Sequence, residues 1–504
     1  QRVDGTDVID VIGTEKYTLN VNGAYGGTAY DAGALVHVFA NIDPGTEIVT
    51  GWKETEGIGA IDGKSGLRGE WHVSFKMPAK EVTLTPIVNK ISFRREHLEE
   101  AKINNIPVWY HVPKNPVGLV GFFHGTGGNR DFILKNQPWY TALKFIHAGY
   151  GVFSASSDAS VRFHKGKEKK WNTDSLREPS TNQDFKNIKL ILEKFMSMNL
   201  ISDKTKLYSI GMSNGGVFSY SLVQMGGLGF SSGVSTCAHG NLKIDPSKPF
   251  MWQMCEKDSQ ESVSRKKGES LQNYNKLVAK KIPAIHIEHP PSPLYPERFS
   301  RIAGISAAVS QNLYAYLKTK GFVDSQNYLK QKSNVKELKD SEEFKSLSND
   351  QKQEVKGEMM VAMAEHRYYD DYSQKILEFF NACKDNEDDD TDESTLSEEL
   401  IARSSGGNGE GTSLSSSLNG KDLKGMISKK RAGQQPTTQI EPESKPQSEE
   451  NHDEVKDTEV PDGYNSVAVE EKEENLRGYG SSSKKERRRD RKKRSSRSKV
   501  LSMV

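Results

Sequence analysis

Two serines in this chain stand between glycines at the spacing Gly-x-Ser-x-Gly: Ser213 in Gly211-Met212-Ser213-Asn214-Gly215, and Ser231 in Gly229-Phe230-Ser231-Ser232-Gly233. The spacing suits a nucleophile elbow, where a serine on a strained strand-to-helix turn exposes its hydroxyl and residues without bulky side chains let the two backbones approach closely. With 43 glycines in 504 residues the pattern recurs easily, so its flanks must choose between the two. Leu207, Tyr208 and Ile210 precede Ser213 as a short strand, and Val217 to Val223 follow without glycine or proline, as a helix requires. Ser231 follows Met225-Gly226-Gly227-Leu228 and reads as the loop leaving that helix. Ser213 is therefore the candidate nucleophile.

A serine that attacks a carbonyl needs donors for the developing oxyanion, a base, and a carboxylate that orients the base. The apolar run ending at Phe123 leads into His124-Gly125-Thr126-Gly127-Gly128-Asn129. Small residues there let a main-chain N–H, that of Thr126, face the oxyanion beside that of Asn214. A glycine-rich phosphate loop fits less well, because no Lys-Ser or Lys-Thr follows the glycines. Together with Gly211-Met212-Ser213-Asn214-Gly215-Gly216, this stretch resembles an α/β-hydrolase of the esterase and polyester-depolymerase-like branch, over about Ile91 to Lys384. The resemblance implies a triad in the order nucleophile, acid, histidine. Asp258, closing the run from Phe250, takes the acid position, with Glu256 as rival. His366 precedes a helix carrying Ile376, Leu377, Phe379 and Phe380, which resembles the family's last loop and closing helix. It is the candidate base, and His289, directly after the last clear strand, is its rival. Histidine suits the role because its unperturbed pKa of about 6.5 allows it to take and return a proton near neutrality. His124 shares the oxyanion loop with Gly125 and Gly127, where its ring is expected to brace the turn. No metal or organic cofactor is implied.

The elements that must hold these residues follow from periodicity. Strands are expected at Val108–Val112, Gly118–Phe123, Gly151–Ser154, Leu207–Ile210, Val234–Cys237, Phe250–Cys255 and Ala284–Ile287, alternating with helices and hence forming a mainly parallel α/β sheet covered on both faces. Phe185, Ile188, Ile191, Leu192 and Phe195 repeat at helical spacing, and a second helix with Leu143, Phe145 and Ile146 stops at Gly149. Residues 290–364 open with Pro290-Pro291-Ser292-Pro293 and read as a helical cap insert that shapes the substrate pocket. Three cysteines make neither a disulfide framework nor paired zinc spacing. If Val234–Cys237 and Phe250–Cys255 are neighbouring strands, Cys237 and Cys255 either bridge or stay as two buried thiols.

Residues 15–90 read as a small all-β domain, with strands at Tyr17–Val21, Ala34–Ala40 and Val82–Thr85. Tyr17-x-Leu19-x-Val21, Gly26, Tyr30, Gly33, Val36-x-Val38-x-Ala40, Pro44-Gly45, Gly51-Trp52 and Phe75-Lys76-Met77-Pro78 resemble an internalin-B-type bacterial repeat. That resemblance implies a surface or secreted protein in which the module binds a polysaccharide or protein; Trp52 is read as core. Residues 385–504 start acidic at Asn386–Asp390, turn rich in Ser, Gly, Glu and Lys, and end in the basic block Lys484–Arg494, so they are expected to be disordered. The basic block also suits a nuclear address or nucleic acid, although the net charge of only +2 gives the folded domains no such attraction. The chain opens on Gln1, as a processed product or fragment would. The expectation is an ester-cleaving serine hydrolase, secreted or at a cell surface. A peptidase of the same fold and an inactive surface-binding protein are the alternatives.

Overall fold

In a computed structural model, residues 15–55, 70–162, 169–173, 179–259, 267–330 and 337–388 are described, all within one compact unit. The expected tail falls outside them from residue 389, while its first residues continue the helix Ser373–Asp388.

The amino-terminal segment forms β1 (Lys16–Val21), β2 (Ala24–Tyr25), β3 (Ala29–Asp31), β4 (Leu35–Ala40), β5 (Glu47–Glu54), β6 (His72–Lys76) and β7 (Val82–Lys90). They make two sheets, ordered β3-β1-β7-β5 and β2-β4-β6. Alternating residues of both, among them Leu19, Val36, Val38, Val73, Phe75 and Leu84, close a core. Trp52 is half-buried, packs against that core, and donates its ring N–H to the carbonyl of Glu70 at 2.9 Å. The tryptophan that this segment buries almost completely is Trp71.

The larger sheet contains β8 (Glu99–Ile103), β9 (Ile106–His111), β10 (Leu119–Phe123), β11 (Gly151–Ala155), β12 (Leu207–Met212), β13 (Phe230–Thr236), β14 (Phe250–Cys255) and β15 (Ala284–His289). Their order is β15-β14-β13-β12-β10-β11-β9-β8; β9 runs antiparallel to both neighbours, and β10 to β15 run parallel. β8 was not expected. It is a polar edge strand turned back by Asn104 and Asn105, both at positive φ, the usual chemistry of a two-residue hairpin.

Helices cover the sheet because their apolar residues share a face. In Gln183–Ser197, capped by Asn182, Phe185, Ile188, Ile191, Leu192 and Phe195 are buried, each contributing about 1.5–3 kcal/mol relative to exposure. Ser231 corrects the expectation of a loop: it is buried inside β13. Gly226, Gly227 and Gly229, all at positive φ, complete the turn before it, and the small side chains at 231–233 suit a strand packed on both faces. Residues 290–364 hold the helices Ala307–Thr319 and Asn349–Ala362 around a core of their own that includes Phe299, Leu313, Leu317, Val355 and Met359. The two ends of this insert meet where the Ser292 N–H reaches the Ala362 carbonyl at 2.9 Å.

Candidate active site

β12 ends directly against Ser213, whose backbone lies at φ 55° and ψ −121° before the helix Asn214–Gln224 begins. That left-handed conformation is costly for a residue with a side chain and marks a position over-determined by its surroundings. Here the glycines do the determining. A Cβ on Gly211 would overlap the Gly215 carbonyl, one on Gly215 would overlap the carbonyls of Phe123 and His124, and one on Gly216 would press on the Ser235 hydroxyl. Strand, helix and the end of β10 thus approach to backbone contact around the serine. The Ser213 N–H, donating to the Thr236 carbonyl at 2.8 Å, ties the turn to the end of β13.

The loop after β10 lies against this turn: a Cβ on Gly125 would stand 3.4 Å from that of Ser213. Gly127 takes a positive φ and donates its N–H to the Lys169 carbonyl at 2.6 Å, and the Gly128 N–H turns back to Gly125 at 3.1 Å. The His124 ring has its Nδ1 2.8 Å from the Gly125 carbonyl while its Nε2 accepts from the Ser157 N–H at 3.2 Å. Both nitrogens are engaged, and burial pushes its pKa down to about 4, so the ring is a neutral brace. Thr126 sits exposed at the tip, and Asn214 opens its helix, where the first N–H groups have no intrahelical acceptor.

Trp171 had no sequence signal, because it lies in a lysine-rich stretch without periodicity. It is almost fully buried, stacks on Phe218 at 4.4 Å and donates its ring N–H to the His124 carbonyl at 3.0 Å. Its main-chain N–H is accepted by the Asn214 side chain at 2.6 Å, and Asn214 returns a bond to its carbonyl. The elbow and the glycine loop therefore share one buttress.

Asp258 and His366 are brought together from 108 residues apart, with 2.8 Å between the carboxylate Oδ2 and the ring Nδ1. Two bonds hold their two loops together, Lys257 N–H to the Ala364 carbonyl at 3.0 Å and Ser259 N–H to the Glu365 carboxylate at 3.1 Å, while Glu256 N–H ties the first loop to the His289 carbonyl at the end of β15 at 3.0 Å. The Glu256 side chain is exposed and pairs with Lys257. His289 is buried elsewhere, stacked on Tyr369 at 4.2 Å with its Nε2 3.3 Å from the Val361 carbonyl. Burial lowers its pKa. Of the rivals, Asp258 and His366 are the two that face one another. Among the described residues no hydrogen bond joins the Ser213 hydroxyl to the His366 ring, a contact that is often long before substrate binds.

Cys237 and Cys255 remain thiols, 3.3 Å apart and buried beneath the His366 loop. Neighbouring strands do bring them together, and no bridge joins them.

No family model and no curated protein matches the chain. Among solved structures it is similar to a thermostable esterase (14% identity, covering 54% of this chain and 90% of the other, TM-score 0.28). A Bacillus cereus carboxylesterase (12%, 38% and 84%, 0.27) and a puromycin-hydrolyzing peptidase from Mycobacterium tuberculosis (14%, 38% and 36%, 0.27) are also similar. The fold rests on the chain itself. Numbered along the large sheet from β8, its strands lie in the order 1-2-4-3-5-6-7-8 with the second antiparallel, and the strained serine follows the fifth; this is an α/β-hydrolase sheet with a helical insert and a small amino-terminal β segment.

Proposed function

We propose that the protein is a serine hydrolase that cleaves carboxylic esters through an acyl-enzyme on Ser213. One observation carries this reading: a serine held at φ 55° on the strand-to-helix joint, in a sheet where an aspartate just after β14 pairs at 2.8 Å with a histidine in the loop between the last two helices. His366 takes the Ser213 proton through Nε2 as the hydroxyl oxygen attacks the ester carbonyl. The backbone N–H groups of Thr126 and Asn214 stabilise the tetrahedral oxyanion. His366 then returns the proton to the leaving alcohol, and a water activated by the same ring releases the acid. Asp258 keeps the proton on Nδ1, so that Nε2 is free to accept. Residues 290–364 are the segment to which acyl selectivity is assigned.

The test is labelling of the full chain by a fluorophosphonate probe, alongside rates on short acyl esters and peptide amides. Labelling lost in Ser213→Ala and kept in Ser231→Ala supports the reading, with turnover falling by on the order of 10⁶ in the former. Absence of labelling in folded wild type overturns it and leaves a binding protein. Faster amide than ester cleavage moves the substrate class to peptides.

A further inference from the structure

Beneath the Asp258–His366 pair lies a third ligand-bearing group that the proposed ester cleavage does not use. Cys237 directly follows β13 with its backbone at φ 52°, and its side chain is fully buried. One ligand atom each from Cys237, Asp258 and His366 fall within 4.8 Å of one another. The Asp258 side chain is 3% exposed and that of His366 11%, so the trio sits just under the surface. Cys255 Sγ, at 3.3 Å from Cys237 Sγ, brings a second sulfur alongside.

The donor types select among cations. Thiolate, imidazole and carboxylate form the mixed set that Zn²⁺ takes, whereas Mg²⁺ and Ca²⁺ want six or more oxygens. Ordinary zinc bond lengths at tetrahedral angles put ligand atoms about 3.5 Å apart. The Asp258–His366 contact has to open by roughly 0.7 Å and the thiol to close by about 1 Å, shifts within reach of side-chain rotation.

We propose that Cys237, Asp258 and His366 bind a thiophilic divalent cation, Zn²⁺ fitting best, and that the bound cation silences Ser213. The silencing half rests on the serine-hydrolase reading; the binding half does not. The balance is simple. Cys237 releases its thiol proton to solvent and ligates as thiolate. His366 ligates through Nδ1, so the proton held there moves to Nε2 and the ring stays neutral. With the Asp258 carboxylate the two negative ligands cancel the cation's charge, which suits a buried site. Water completes the tetrahedron. The Nε2 atom that must accept the Ser213 proton now carries one, so attack cannot start.

The experiment uses the full chain, stripped with EDTA and kept in a non-chelating reductant. Initial rates on a short acyl ester are read against buffered free Zn²⁺, with Mg²⁺ and Ca²⁺ as controls. Expected are zinc inhibition fully reversed by EDTA, no effect of the controls, and a half-inhibiting zinc concentration at least about 100-fold higher in Cys237→Ala, measured against that variant's own metal-free rate. Binding is read without catalysis by adding Co²⁺ to Ser213→Ala. A thiolate-to-cobalt absorption band is expected there and lost in Ser213→Ala/Cys237→Ala, whose far-ultraviolet spectrum checks folding. Zinc inhibition equal in wild type and Cys237→Ala, or no cobalt band, overturns the metal site. A cobalt band in a protein whose wild type cleaves no ester upholds the site and fails the hydrolase reading instead.

Discussion

At the scale of residues, the elbow assigns each of its glycines a separate task, and this separates their mutational costs. Gly215 faces two carbonyls at the end of β10, so Gly215→Ala forces the helix Asn214–Gln224 away from the glycine loop. Overpacking of this kind costs about 1–3 kcal/mol. We expect a matching loss in urea-unfolding stability and a fall in ester turnover exceeding that of Gly125→Ala, whose added methyl finds neighbours at 3.3–3.4 Å. The acid position separates as cleanly. Asp258→Asn should lower turnover by about 10⁴ through the wrong histidine tautomer, whereas Glu256→Gln, altering an exposed pair, should leave it within about twofold; steady-state kinetics of both decide. Ser213, the glycine loop, Asp258 and His366 were legible in the sequence as candidates at characteristic positions. Choosing Asp258 over Glu256, and His366 over His289, required knowing which carboxylate and which ring meet, and chain separation does not encode that.

At the scale of elements, the start of β6 does what its strand pattern never suggested. Glu70, Trp71 and His72 enter the α/β body. Glu70 Oε1 accepts from the Lys375 N–H at 2.9 Å, Trp71 lies under Arg301 with 3.3 Å from guanidinium carbon to ring centroid, and His72 Nδ1 stands 2.6 Å from Asp371. A polar chain continues outward, His72 Nε2 to His37 Nδ1 at 2.9 Å and His37 Nε2 to the Tyr328 hydroxyl at 3.0 Å. With Asp371 accepting, the protons run one way: tyrosine to His37, His37 to His72, His72 to aspartate. Burial first, then His72, His289 and Arg298 beside it, push His37 down to about 3 against the pull of Asp371; burial also lowers His72. The sign follows. Both rings are neutral folded and take a proton unfolded, so their contribution to stability is complete above the unfolded pKa of about 6.5 and is lost as pH falls below it, for His37 towards 3. The slope reaches about 1.4 kcal/mol per pH unit for each proton withheld. Between pH 7.5 and 5 the melting temperature of His37→Phe should fall less, or rise more, than that of wild type, the variant keeping the stacked contacts with Phe39 and His72.

At the scale of the whole molecule, the amino-terminal segment is not a bead on a string. Tyr25 stacks on Tyr295 at 4.8 Å, Phe39 packs on the same ring at 4.6 Å, and Arg301 ties that surface to Asp370 at 2.8 Å, four residues after His366. Removing residues 1–90 strips Lys144 of the Glu70 carboxylate 3.8 Å away, Asp371 of His72, and Arg301 of its ring. Leaving a buried polar group without its partner costs about 1–3 kcal/mol each, against a usual total of about 5–15. The segment 91–384 expressed alone should therefore lose its near-ultraviolet circular dichroism and cooperative melt, and a sharp melt at the full-length temperature would contradict this. Any binding role proposed for the segment therefore adds to a structural one.

Local features could be read from the residues in order: strands and helices from the period of their apolar residues, and the elbow and the glycine loop from glycines that backbones require wherever they approach. These signals lie within a few residues of each other, and short-range sterics writes them. The tertiary structure alone decided which of two carboxylates and two histidines pair, that Cys237 lies beneath them, that Ser231 is buried in a strand, and that His72 enters the body beside the cap. Each of those depends on side chains that converge only after the sheet orders its strands, because burial and charge act through space across 100 to 300 residues of chain.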